Sequence, residues 1–120
     1  MSRSLRFLTV DQFGDVTCIR LKKTRLQEDE VHQLADEVTG LIDGGCRKLV
    51  FTLGPEALHC LYSVFLSKLV MFQRVLRERG GAMKLSDVPP EVFAVFEACR
   101  LHELFEFAPT RETAVTAFSA

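Results

Sequence analysis

The chain lacks a charge excess of either sign. Its 15 Lys and Arg stand against 16 Asp and Glu, a formal net charge of −1, and so near-neutral a balance carries no electrostatic footprint for nucleic acid. Long apolar runs are missing too. Val64-Phe65-Leu66 and Leu69-Val70-Met71-Phe72 are far too short to span a bilayer and are broken by Lys68 and Gln73. Met1-Ser2-Arg3-Ser4 leads into a strand pattern rather than an apolar signal core. No membrane association and a cytoplasmic location are therefore expected.

The cysteines Cys18, Cys46, Cys60 and Cys99 form no C-x-x-C pair, and in a reducing compartment they stay free thiols. Cys18 and Cys99 fall on apolar faces and read as small core hydrophobes. Cys99 and His102 could meet His59 and Cys60 around a zinc ion only without a standard ligand spacing, so no metal site is expected. Catalytic signatures are equally scarce. Ser63, His59 and Asp87 can be assembled into a triad on paper, but no G-x-S-x-G elbow is present. The three histidines, His32, His59 and His102, lie in different elements, and neither double glycine is followed by Lys-Ser or Lys-Thr as in a phosphate-binding loop. No enzyme activity and no cofactor are expected.

What is present is an ordinary globular composition, 48% hydrophobic and 26% charged over 120 residues, with no linker, internal repeat or low-complexity segment. Residues 1–120 suit a single domain. Arg6–Gln12 and Val16–Leu21 alternate as half-buried strands around the turn residues Phe13-Gly14-Asp15, which predicts a hairpin. Val31, Leu34, Ala35, Val38, Leu41 and Ile42 recur at helical spacing behind the acidic turn Glu28-Asp29-Glu30, and Gly44-Gly45 ends that helix. Leu49–Leu53 is a short apolar run suited to a strand covered on both faces, stopped by Gly54-Pro55.

A second helix is predicted from about Leu61 to Arg79, with Phe65, Leu69, Phe72 and Leu76 inward and Ser63, Ser67, Arg74 and Arg77 opposite. Gly80-Gly81 closes it, and the strand Ala82–Leu85 follows. Pro89-Pro90-Glu91 opens a third helix with Val92, Phe93, Phe96 and Cys99 as its buried face. Phe105–Phe107 is a last short strand, and Thr110 caps a final helix holding Ala114, Val115 and Phe118. The deepest core is expected at Phe51, Leu69, Phe72, Phe93 and Phe96. The order ββαβαβαβα predicts an α/β fold with a mixed, mostly parallel sheet.

Several local phrases carry a resemblance. Leu66-x-x-Leu69 is followed by Gly80-Gly81, by Met83-Lys84-Leu85, and by Val92-Phe93-x-x-Phe96-x-x-Cys99-x-Leu101-x-x-Leu104-Phe105. In this order and spacing the chain resembles the STAS domain, the module of sulfate transporters and anti-sigma factor antagonists, over essentially its whole length. The resemblance implies helices packed mainly on one side of the sheet. It also implies a bacterial regulatory module that binds a protein partner, such as an anti-sigma factor or a GHKL-type serine kinase.

Antagonists of that family carry Asp-Ser-Ser-Gly-Leu-Gly where the second helix begins, and the second serine accepts phosphate. On the register that keeps Leu66 and Gly80-Gly81 as anchors, Tyr62 takes the place of the aspartate, Ser63 of the first serine and Val64 of the second. Phe65 and Ser67 then replace the glycines. A shift of one position instead puts Ser63 at the acceptor. Ser63 is thus the candidate phosphoacceptor in a degenerate motif, its other reading being a helix-cap or first-turn serine. Tyr62, Ser63, Val64, Ser67 and Met71 form a candidate partner-docking corner. The alternative to an antagonist-like switch is a STAS-like scaffolding or sensory-complex subunit that is never phosphorylated.

Overall fold

The computed structural model describes residues 2–119. Its strands are β1 (Ser2–Ser4), β2 (Leu8–Phe13), β3 (Val16–Leu21), β4 (Lys48–Thr52), β5 (Ala82–Ser86) and β6 (Glu106–Ala108). Its helices are α1 (Glu28–Asp43), α2 (Tyr62–Glu78), α3 (Pro90–Ala98) and α4 (Arg111–Ser119). The expected ββαβαβαβα order stands, preceded by the short strand β1. Ser2-Arg3-Ser4 has no apolar alternation to betray a strand; it joins through backbone pairing alone, with Arg3 opposite Val10 on β2.

The six strands lie side by side in chain order. β1, β2 and β3 pair antiparallel, with Phe13 opposite Val16 across Gly14-Asp15. β3 through β6 pair in parallel, each joined to the next by a helix. Alternation along the central strands sorts side chains onto two faces. Ile19, Leu49, Phe51, Met83 and Leu85 enter the main core with the apolar stripes of α1, α2 and α3. Val16, Cys18 and Val50 point the other way and are covered by Ala114 of α4, with Val115 and Phe118 packed around them. Three helices therefore serve one face and a short one the other.

The Gly80-Gly81 pair acts in two different ways. Gly80, at φ +84°, occupies the left-handed position just past α2. The Gly81 amide then donates back to the Leu76 carbonyl at 2.7 Å and the Gly80 amide to Arg77 at 3.2 Å, which closes the helix in a Schellman turn. At Gly81 a Cβ would stand 2.0 Å from the Arg47 carbonyl oxygen, so only glycine lets β5 start alongside the Arg47 backbone. Gln73 fixes the same end of α2 from inside. Its side chain accepts from the Met83 amide at 2.8 Å and donates to the Leu104 carbonyl at 3.3 Å.

Two expected core positions differ. Phe93 is half-buried, because α3 lies over β6, the edge strand, where Phe107 meets one side of its ring at 5.0 Å and no strand lies beyond. Cys99 is exposed. α3 ends at Ala98, Arg100 adopts φ +58°, and the Leu101 amide returns to the Phe96 carbonyl at 2.8 Å. That turn carries Leu101, rather than Cys99, back against the core. Phe51, Leu69, Phe72 and Phe96 are as deeply buried as their periodicity requires. No described helix is long and apolar enough to cross a membrane.

Candidate functional site

The corner singled out by the sequence is the end of the sheet where β3, β4 and β5 finish and α2 begins. It is built from the backbone outward. The Leu53 amide donates to the Ser86 carbonyl at 3.1 Å, and the buried Thr52 and Ser86 hydroxyls face each other at 2.8 Å. Gly54 then passes so close to the next strand's exit that a Cβ there would lie 2.0 Å from the Asp87 carbonyl oxygen. The Gly54-Pro55 peptide is cis. Further along, the loop is zipped to the segment between β3 and α1. The His59 amide donates to Thr24 at 2.6 Å, the Leu26 amide donates to His59 at 2.9 Å, and Arg25 and His59 form an isolated bridge. The launch point of α2 is therefore fixed by two other segments of chain.

Leu61 stands at the N-cap of α2, with extended backbone and no side-chain capping hydrogen bond. Its carbonyl accepts from the Val64 and Phe65 amides at 3.1 Å each. Tyr62 is the first helical residue, half-buried, its hydroxyl donating to the Leu58 carbonyl. Partial burial pushes the Tyr62 phenol up, assisted by the neighbouring Cys60 and Glu91. Ser63 and Ser67 are exposed one turn apart, while Val64 and Met71 are half-buried against the core. Ser63, Ser67 and Met71, at successive spacings of four, share one helix face. The sequence-predicted corner residues thus lie together on the first turns of α2.

Ser63 is a first-turn residue and does not cap the helix, because the N-cap position falls on Leu61. Leu61 itself is the feature sequence reasoning passed over. It is 52% exposed, one of the few large apolar side chains on the surface, at a position where Ser, Thr, Asp or Asn would satisfy free amides. No acidic residue stands in the first turn of α2, in contrast to Glu28, Asp29 and Glu30 of α1. The missing cap signal before the Phe65-x-x-x-Leu69 stripe could have drawn attention to it.

Cys99 and His102 flank the turn after α3, His59 and Cys60 lie in the loop before α2, and no metal-binding cluster of His, Cys, Asp or Glu occurs among the described residues.

A six-stranded sheet in chain order, with three crossover helices on one face and a terminal helix on the other, defines the class. The chain has the STAS fold. It is similar to an anti-sigma-factor antagonist (STAS) domain protein from Planctomyces limnophilus at 24% identity, over 94% of this chain and 98% of that one, with a TM-score of 0.82. The Bacillus cell fate determinant SpoIIAA in its phosphorylated form is 20% identical over 92% of this chain and 98% of that one, with a TM-score of 0.69. A Moorella thermoacetica RsbS variant is 18% identical over 93% and 94%, with a TM-score of 0.76. No protein-family model matches the chain, and no curated protein matches it. At these identities the likeness is one of fold.

Proposed function

We propose that this chain is a regulatory protein-binding module of the anti-sigma-factor-antagonist kind, and that it engages its partner through the N-terminal corner of α2 without a phosphate at the usual acceptor position. The observation that carries this reading is the exposed, uncapped Leu61, with Val64 three positions on. An apolar residue at an N-cap gives up about 1 kcal/mol that a polar one would return. Its exposure on a corner held by two other loops fits a contact surface better than a stability requirement.

Phosphate at a helix N-terminus is tolerated by the free amides and the helix dipole, so a fold can survive the added charge while a docked partner is repelled. SpoIIAA, of the same fold, has been solved in phosphorylated and unphosphorylated forms. Here Val64 offers no hydroxyl. The regulated step then lies in the partner, or in the amount of this protein.

A second reading is favoured by one observation: Ser63 is exposed in that first turn and presents its hydroxyl to a kinase. The two are separated by incubating the chain with a co-encoded GHKL-type serine kinase and ATP, followed by peptide mapping. The expected outcome is stable capture of the kinase with no phosphate on the chain. Stoichiometric phosphate on Ser63 overturns the constitutive reading and makes the protein a conventional switch.

A further inference from the structure

A groove of about 450 Å³ opens beside the α2 corner, at the C-terminal ends of β3 and β4. One wall is Arg20-Leu21-Lys22-Lys23-Thr24-Arg25 and the other Thr52-Leu53-Gly54-Pro55-Glu56. Four cations thus face a single carboxylate in a chain whose formal net charge is −1, so the rest of the surface is net negative. Charge separated in this way is a steering device. Lys23 is committed, paired with Glu30 and standing 5.9 Å over the Phe7 ring. Arg20, Lys22 and Arg25 are exposed and make no ion pair among the described residues. Both walls are fixed, one by the Thr24–His59–Leu26 hydrogen bonds and the other by the close approach of Gly54 to Asp87.

Building on the proposed docking role of the α2 corner, we infer that this groove receives an acidic segment of the partner protein. The groove and the corner are continuous, because the loop that forms the second wall runs through His59 into Leu61 and Tyr62. Three details favour carboxylates spread along a chain over a compact phosphate ligand. The unpaired charges are borne on long side chains rather than on a glycine-rich nest of amides. The nearby N-terminus of α1 already carries Glu28, Asp29 and Glu30, which neutralise the dipole a phosphate would use. The groove runs between two stretches of chain, Arg20–Arg25 and Thr52–Glu56, along which a peptide can lie. Nucleic acid is disfavoured by the negative remainder of the surface. An acidic partner also fixes the sign of the switch: negative charge at Ser63 weakens docking.

The test uses the full chain and a labelled poly-glutamate peptide as probe. Amide shifts should be confined to residues 20–25, 52–56 and the start of α2. The double variant Lys22→Glu, Arg25→Glu should lose about tenfold or more in affinity with an unchanged melting temperature. The loss of wild-type binding as salt rises from about 50 to 200 mM should largely disappear in that variant. Arg74→Glu, Arg77→Glu makes the same charge change on exposed α2 positions outside the groove and should bind as wild type.

Equal loss in this control, or shifts spread over every basic residue, overturns the inference as diffuse electrostatics. Displacement of the peptide by inorganic triphosphate at stoichiometric concentration, with the same shifts, overturns it in favour of a small-anion site. Failure here is distinguishable from failure of the docking corner. If the charge-reversed groove captures the co-encoded kinase as well as wild type while Leu61→Asp does not, the groove inference falls and the corner stands.

Discussion

Single side chains divide between those that hold the fold and those that stability alone does not explain. Phe72 belongs to the first group: it lies on the inner stripe of α2 and is almost wholly buried. Phe72→Ala removes a ring from the main core and should cost about 3–5 kcal/mol, a large part of the total for a chain of this size. Denaturant midpoints at constant slope measure it, and an unmoved midpoint would show that α2 is packed differently. Val64 and Leu61 belong to the second group. A polar residue at Leu61 would lose little burial and gain a cap, whereas at Val64 it would give up part of a contact with the main core. The proposed placing of Val64 at the acceptor position rests on sequence alone, through the two anchors Leu66 and Gly80-Gly81. The exposure of Leu61 is not legible there, because a lone leucine before a helix reads equally well as core.

Among elements, those whose side chains keep a strict period were legible and those held by backbone alone were not. α1 buries the six apolar residues its pattern predicts. β3 has its predicted bounds, Val16–Leu21, but not the predicted half-buried alternation: Val16, Thr17, Cys18 and Ile19 are all buried, because α4 covers the second face of the sheet. β1 pairs through backbone hydrogen bonds and leaves no period to read. The exposure of Cys99 was hidden because the left-handed residue after α3 is Arg100 rather than a glycine. On the proposed reading, α2 is the element in which stability and function part. Its N-terminus has neither a capping side chain nor an acidic first turn. Leu61→Asp should therefore stabilise the chain by roughly 0.5–2 kcal/mol through a new cap and a favourable dipole contact. It should also weaken capture of an acidic partner, by losing an apolar contact and adding a like charge. Thermal melts and binding of the kinase read the two effects separately. A variant that is more stable and binds unchanged would remove Leu61 from the docking corner. Ser63→Ala should leave stability nearly unchanged, since Ser63 is not the cap.

Over the whole molecule, the distribution of titrating groups sets how stability responds to pH, and the two limbs should differ in kind. On the acid side, the Glu30 carboxyl is held below its ordinary range by the Gln27 amide and then by Lys23, Glu106 by its hydrogen bond to Lys84, and Asp15 by its hydrogen bond to Lys48. Folded values below unfolded ones contribute stability that is present at neutral pH and lost as pH falls through them. Asp15 and Glu106 face solvent and Glu30 is half-buried, so this limb should be shallow and weakened further by salt.

On the alkaline side burial pushes the Cys18 and Cys60 thiols from 9.0 to about 11. The unfolded chain then releases these protons first, so stability holds below pH 9 and falls as pH rises from 9 towards 11. Replacing both with alanine should make that limb shallower while leaving the acid limb unchanged, as urea midpoints across the pH range would show; burial also raises Cys46 and Tyr62, which carry the remainder. The same geometry orders their chemistry. At neutral pH an alkylating reagent should modify the exposed Cys99 first and reach the buried Cys18 only on unfolding. Rapid labelling of Cys18 in the native protein would mean that α4 does not cover the second face of the sheet, and that the packing of Ala114 over Val16 and Val50 is not the stable state.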